Sequence, residues 1–199
     1  MWEQSKAARR RYLDGAFQTR FFVGEGIDIG AGNDPLGQYR DMFPAITSIR
    51  HWDMDDGDAQ ELGGLAADSF DFVHSSHCLE HMKVPMVALT NWLRILKPGG
   101  HLIVTVPDED LYELGRWPSH FNPDHKWTFT IHKEASWSPV SVNILNLAIS
   151  FSAVATVERI VLLRDFFREE LAARGEDQTM TPVAECSIEF VLSKRVFKR

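Results

Sequence analysis

Residues 26–32 read GIDIGAG, an apolar run that ends in two glycines. Glycine at a strand end permits a turn too tight for a side chain and lets a ligand come close to the backbone. The N–H groups that open the next turn can hold an anion. Further apolar runs follow, spaced so that helices fit between them. AITSIRHW (45–52) and FDFVHSS (70–76) read as strands, the second apolar enough to be buried on both faces. VPMVALTNWLRIL (84–96) has helical spacing, and KPGG (97–100) stops it, as proline and glycine do past a helix end. HLIVTVP (101–107) is again a strand. Strands alternating with helices mean right-handed βαβ units and a parallel sheet. In such sheets the ligand sits beyond the carboxyl ends of the strands, at the topological switch point.

The flanks complete this plan. Residues 3–19 predict an N-terminal helix in which Ala8, Tyr12, Leu13 and Phe17 share a face and Arg9, Arg10 and Arg11 turn to solvent. A short helix is expected after Pro35, through Tyr39 and Met42. SPVSVNILNLAISF (138–151) predicts a helix capped by Ser138, with Pro139 in its first turn and Val140, Ile144, Leu147 and Phe151 along one side. ATVERIVLL (155–163) and ECSIEFVLSK (185–194) alternate like strands, and RDFFREELAARGED between them reads as a short polar helix. Two strands closing the chain with little between them predict an antiparallel edge. The expected architecture is a three-layer α/β sandwich, its sheet mostly parallel with an antiparallel last strand. Its 199 residues suit one domain over 1–199. Within it, 1–22 form an N-terminal helix placed to act as a lid through Tyr12, Phe17, Arg20 and Phe21, and 23–199 form the core.

Composition narrows the function. With 21 Lys+Arg against 28 Asp+Glu the net charge is −7, which argues against a protein that grips nucleic acid through phosphates. The 2 cysteines, Cys78 and Cys186, lie far apart without metal-ligand spacing and read as buried thiols in a reducing compartment. Ala135 to Val157 carries no charge but is too rich in Ser, Asn and Pro for a spanning helix. The basic N-terminus has no apolar stretch behind it and is not read as a secretory signal. A cytoplasmic protein is expected.

Asp53 closes the second strand candidate about 20 residues past the glycines, where an acid usually grips a ribose hydroxyl pair. A carboxylate suits that task because it only accepts hydrogen bonds. Asp58, in GDAQEL (57–62), is placed to take an exocyclic amine. A dinucleotide fingerprint wants a third glycine where this chain has Pro35, which disfavours a nicotinamide cofactor. Together GIDIGAG (26–32), Asp53, GDA (57–59), SFDFVHSSHCLEHM (69–82) and LKPGGHLIVTVP (96–107) resemble the class I S-adenosylmethionine-dependent methyltransferases, in particular the small-molecule branch. The resemblance covers most of residues 24–194 and implies a Rossmann-like core that binds S-adenosyl-L-methionine and releases S-adenosyl-L-homocysteine. By the same resemblance Asp28 and the Gly30–Ala31–Gly32 turn line the amino-acid end of the cofactor. Asp53 binds the ribose, Asp58 and Ala59 meet the adenine, and Ser75, Ser76 and His77 lie under the methionine and sulfonium. The chain departs from the family in the short interval from Asp53 to Asp58, which usually holds a helix and a strand. Either the sheet has lost an edge element or one of the two acids is misassigned.

Methyl transfer from a sulfonium needs positioning in a dry cleft, and a base only where the acceptor carries a proton. Candidate bases are His77, His81, His120 and His125. PSHFNPDHKWTFT (118–130) is dense in aromatic and polar residues, which suits a small polar or saccharide acceptor and O-methylation. His125, oriented by Asp124, reads as the base; the same Asp124, His125 and Thr128 read equally well as ties of a long loop. His81 is a second candidate, or a brace for the helix that follows. Trp117 and Trp127 are the aromatics expected to touch substrate. His120, Asp124 and His125 have the makings of a metal site, but three such residues within one short stretch are more often a polar loop, and no metal is expected. No NPPY-like sequence follows FDFVHSS, which argues against methylation of a DNA base amino group. The rival readings are a catalytically inactive cofactor-binding partner subunit and, more distant, a nicotinamide-dependent oxidoreductase, for which no Y-x-x-x-K is found.

Overall fold

The structure, a computed structural model, describes residues 3–180 and 183–197. Six strands form one sheet in the order β2-β1-β3-β4-β8-β7. They are β1 (Gly24–Ile29), β2 (Ile46–Trp52), β3 (Phe70–Ser76), β4 (Leu96–Pro107), β7 (Ala155–Leu163) and β8 (Ser187–Lys194). The pairs β1–β2, β1–β3 and β3–β4 are parallel. β8 runs antiparallel to both β4 and β7, so the reversed closing strand foreseen from the sequence is present. The sheet reverses its order of winding at β1 and β3, which puts the switch point at the carboxyl ends of those two strands.

The two faces of the sheet are read residue by residue along each strand. Val73, Leu102, Val104, Ile188, Phe190 and Leu192 pack with α2 (Pro85–Ile95) and α3 (Ile144–Ser150) on one side. Phe72, Ile103 and Val191 pack with Ala8, Phe17, Phe21 and Phe22 of the N-terminal segment on the other. Three layers result. α2 has Pro85 in its first turn, and its buried stripe includes Ala88, Leu89, Trp92 and Leu93. It also holds the turns before it: Trp92 Nε1 donates to the Ala59 carbonyl (2.8 Å) and Asn91 Nδ2 to the Gln60 carbonyl (3.0 Å).

Several local expectations are corrected. The N-terminal helix is broken into α1 (Glu3–Tyr12) and a π-helical turn at Phe17–Phe21, and residues 1–2 lie outside the described ones. Of the predicted apolar face, Ala8 and Phe17 are buried but Tyr12 and Leu13 face solvent. Arg11 does the reverse and is fully buried, because Glu189, Thr105, Gln4 and His74 supply partners for its guanidinium. Tyr12 therefore covers no cleft, Phe17 and Phe21 are core, and Arg20 pairs with Glu158. KPGG follows the end of α2 but already belongs to β4, which starts at Leu96 opposite Phe70; KPGG lies in the register shift between that pair and the pair of His101 with Phe72. Ser138 caps no helix. Residues Ser141–Asn143 are extended as β6, paired parallel with β5 (Thr128–Thr130), and Asn143 caps α3 by accepting from the Asn146 N–H. The closing polar helix is α4 (Glu169–Ala173). From Gly57 to Ser69 the chain has neither helix nor strand, so β2 is the edge of the sheet and the usual edge element is missing. Both cysteines are free and buried, as expected. No helix among the described residues is long and apolar enough to cross a membrane.

Candidate active site

At the switch point a cleft of about 520 Å³ is lined by Gly30, Asp53, Met54, Gly57, Asp58, Ala59, His77, Cys78, His81, Met82 and Asp124. Gly30 turns at φ +72°, a conformation that favours glycine. A β-carbon there would also stand 2.6 Å from that of Cys78, so the residue is fixed by packing as well as by the turn. Gly32 turns at φ +51° toward open space, and its N–H donates to Asp53 Oδ2 (2.8 Å). Asp53 follows β2 and caps the next turn, its Oδ1 accepting from the Met54 N–H (2.8 Å). Both oxygens are thereby aimed, and each keeps a lone pair for a further donor. Asp58 sits across a short turn and accepts from the Gln60 N–H through Oδ1 (2.8 Å).

A smaller cleft of about 190 Å³ meets the first at Gly30 and is lined by Asp28, Ala31, Asn33, Asp34, His74, Ser76, Glu3 and Gln4. The first turn of α1 thus reaches the cofactor side of the sheet, although the residues named for a lid do not. Asp28 is buried, accepting from the Leu36 N–H (2.7 Å) and facing His74 Nδ1 (2.6 Å). His74 Nε2 meets the Arg11 guanidinium at 2.9 Å. Arginine only donates, so Nε2 accepts and Nδ1 carries the proton that Asp28 receives. Ser75 is fully buried and donates to the Ile29 carbonyl (3.0 Å), which makes it a strand tie rather than a cleft residue.

His77 follows β3 at φ +52° and is held on both ring nitrogens, by Ser76 Oγ and Ser187 Oγ at 3.0 Å each. Burial, then the nearby positive groups, pull its pKa down to about 3, so it is neutral at physiological pH. Burial likewise pushes the Cys78 thiol up to about 12 and leaves it unreactive.

The far wall departs from the sequence reading in its pairings. Asp124 does not orient His125. It meets His81 Nδ1 through Oδ2 at 2.9 Å, while His125 Nδ1 is taken by Glu113 Oε1 at 2.7 Å. The reason is placement: His125 points inward and is buried, whereas Asp124 is exposed at the rim. His81 lies on a short 3-10 turn (Leu79–His81) and does not cap α2, whose N-cap is Val84. The Lys126 N–H donates to the Glu80 carbonyl (2.8 Å) and Trp127 Nε1 to the Met82 carbonyl (2.9 Å), so the two loops are stitched together. Trp127 is thus a stitch, and neither it nor Trp117 lines the cleft. Thr128 is a loop tie, donating to Glu109 Oε2 (3.0 Å). His120 is exposed and meets the Phe121 ring edge-on. Glu80 and Glu113 were not singled out in the sequence. The signal was two adjacent acid–histidine pairs, Glu80-His81 and Asp124-His125, each following a strand of the parallel sheet.

A family model described as a methyltransferase domain matches residues 7–137. No curated protein matches the sequence. Solved structures share the fold. One is a SAM-dependent methyltransferase from Archaeoglobus fulgidus (18% identity, 96% of this chain and 94% of that one, TM-score 0.62). Another is the chain bound to the Trm112 methyltransferase activator of Haloferax volcanii (16% identity, 97% and 94%, TM-score 0.60). A third is the plantazolicin methyltransferase BpumL in complex with SAH (13% identity, 97% and 85%, TM-score 0.56). At these identities the structures speak for the fold; the family model, which spans most of the chain and includes the whole glycine turn, speaks for the membership. The chain belongs to the methyltransferase-domain family, within the class I S-adenosylmethionine-dependent methyltransferases.

Proposed function

We propose that the cleft at the switch point binds S-adenosylmethionine and transfers its methyl group to a small or saccharide-like acceptor, at oxygen. One observation carries this reading: Gly30, Asp53, Asp58, Ala59 and His77, scattered in sequence, converge on one cleft whose opposite wall is His81 and Asp124. Asp53 takes the ribose hydroxyls, Asp58 and Ala59 the adenine edge, and Gly30, Ala31, Gly32 and Ser76 the methionine end, with Asp28 and Ser75 shaping that end from behind. Neutral His77 lies where it adds no charge against a sulfonium cation. The acceptor meets the wall of His81, Asp124 and His125, where its proton is handled. The S–CH3 bond breaks as the O–CH3 bond forms, and positioning in a water-poor cleft supplies most of the rate. Polar groups around an apolar floor suit a small polar acceptor. The negative net charge disfavours nucleic acid. Two buried free thiols suit a cytoplasmic setting.

A second reading is a cofactor-binding partner subunit without turnover; it is kept because a neighbour of the same fold was solved in complex with an activator protein. Calorimetric titration with S-adenosylhomocysteine and with NADH tests the cofactor. Binding of the first alone is expected, and binding of NADH alone would overturn the reading. Turnover of labelled S-adenosylmethionine against a panel of hydroxylated acceptors separates the enzyme from the silent subunit.

A further inference from the structure

Behind the cleft wall, two histidines face a carboxylate that nothing else engages. Glu80 is fully buried, and neither of its oxygens has a hydrogen-bond partner. Leaving a buried polar group unsatisfied is costly, and a native fold rarely does so without a use for it. The Nε2 atoms of His81 and His125 each lie 3.9 Å from Glu80 Oε1, and all three atoms lie within 4.8 Å of one another. The Nδ1 atom of each ring is already committed to a second carboxylate, Asp124 for His81 and Glu113 for His125. A carboxylate accepts, so each Nδ1 carries a ring proton, which leaves Nε2 as the atom of each ring open to a further partner. Three possible ligand atoms therefore converge at separations too long for hydrogen bonds among them, and a cation can join them. The outer carboxylates complete the pattern, since metal-bound histidines usually give their other N–H to a carboxylate that fixes the ring.

We propose that Glu80, His81 and His125 form a binding site for one divalent first-row transition metal ion. Two imidazoles and a carboxylate suit zinc, cobalt, manganese or ferrous iron, whereas magnesium and calcium prefer all-oxygen sets. Ligand bonds of about 2.0–2.2 Å would draw the donor atoms a little closer than they stand. Three protein ligands leave coordination positions open. His81 borders the cleft, so those positions face the place assigned to the acceptor. The role, as distinct from the site, rests on the methyltransferase reading. The metal takes the acceptor's hydroxyl oxygen, whose proton leaves for solvent. That oxygen then displaces the methyl, and the sulfonium becomes a thioether. This replaces the metal-free expectation and its one candidate set: His120 is exposed and does not belong to the converging group, and Asp124 orients His81 instead of binding.

The test uses the full-length, tag-free protein, stripped with a chelator and titrated with Co2+ alone. One equivalent is expected to bind with visible d–d absorption, and Zn2+ is expected to remove the colour while millimolar Mg2+ leaves it. Asp124→Ala, at an exposed orienting position, should weaken Co2+ by about 10–100-fold. His81→Ala should weaken it further, and His132→Ala, at an exposed histidine outside the group, should not change it. Circular dichroism confirms that each variant is folded; should Glu80→Gln unfold, His81→Ala carries the test. Folded protein that shows no absorption, or His81→Ala with unchanged affinity, overturns the site. S-adenosylhomocysteine is titrated into the same sample. Nucleoside binding without metal binding sinks the metal site alone, and metal binding without nucleoside binding sinks the methyltransferase reading and leaves the site standing.

Discussion

Arg11 carries a charge into a place closed to water. Its guanidinium meets Glu189 Oε2 at 2.8 Å and Thr105 Oγ1 at 3.1 Å, and lies over the rings of Phe17 and Phe22. Removing one member of a buried pair strands the other, which costs more than the pair contributes when intact. Arg11→Ala should therefore cost about 3–5 kcal/mol in urea denaturation. A loss within about 0.5 kcal/mol, the range of ordinary surface substitutions, would mean that Glu189 finds other partners. Asp53 belongs to the same scale but to function. Its two oxygens are oriented by the Gly32 and Met54 N–H groups toward the cleft. Asp53→Ala should weaken S-adenosylhomocysteine by about 1–3 kcal/mol in calorimetry, the usual cost of an unpaired buried donor. Unchanged affinity would place the ribose acid elsewhere.

At the scale of elements, β1 shows why a strand can tolerate glycine. A β-carbon on Gly26 would overlap the ring of Phe72 on β3, its direct partner in the parallel ladder. Gly26→Ala should lower stability by about 1–3 kcal/mol through overpacking, and Phe72→Leu in the same chain should restore part of it. If the double variant is no more stable than Gly26→Ala, the clash is not the cause. The strands were legible because a β-branched and aliphatic run such as LIVTV of β4 favours a strand buried on both faces, and the glycine turn was legible because its neighbours are apolar. What the sequence hid was partnership across long separations. Arg9, Arg10 and Arg11 look like one solvated stripe, yet Arg10 pairs with Glu185, just before the closing strand, and with Glu189 on it, and Arg11 is buried. Ser138 and Pro139 look like a helix start, but Val140 to Asn143 are drawn into pairing with Thr128 to Thr130, and the cap falls to Asn143. The candidate site was split in the same way. The cofactor side is contiguous enough to be read locally, whereas the wall depends on Glu80 and Glu113, whose meaning appears only when two loops meet.

Over the whole molecule the buried polar chain Asp28–His74–Arg11–Glu189 ties β1, β3, α1 and β8 together across the sheet. Burial alone would raise the carboxyl of Glu189, but Arg11 and Arg10 outweigh it and hold it below its ordinary value of 4.5. A depressed folded value means that below 4.5 the unfolded chain takes up a proton at this site more readily than the folded one. The stabilisation is therefore complete above the ordinary value and is lost as pH falls through the lowered one. Other groups titrate in opposing directions: burial lifts Asp108 to about 6, so that its carboxyl favours folding on acidification, while burial lowers His74. A melting curve of the natural chain alone mixes these contributions. The difference between the natural chain and Glu189→Gln removes the groups that Glu189 does not touch and leaves Glu189 with the neighbours it acts on, His74 and Glu185. That stability difference should be constant from pH 7 down to about 5 and should shrink steadily below 4.5 as the natural glutamate is neutralised. Urea denaturation of both chains at closely spaced pH values measures it. A difference that stays constant to pH 3, or that closes already between pH 7 and 5, would show that Glu189 is not held as an ion by the two arginines.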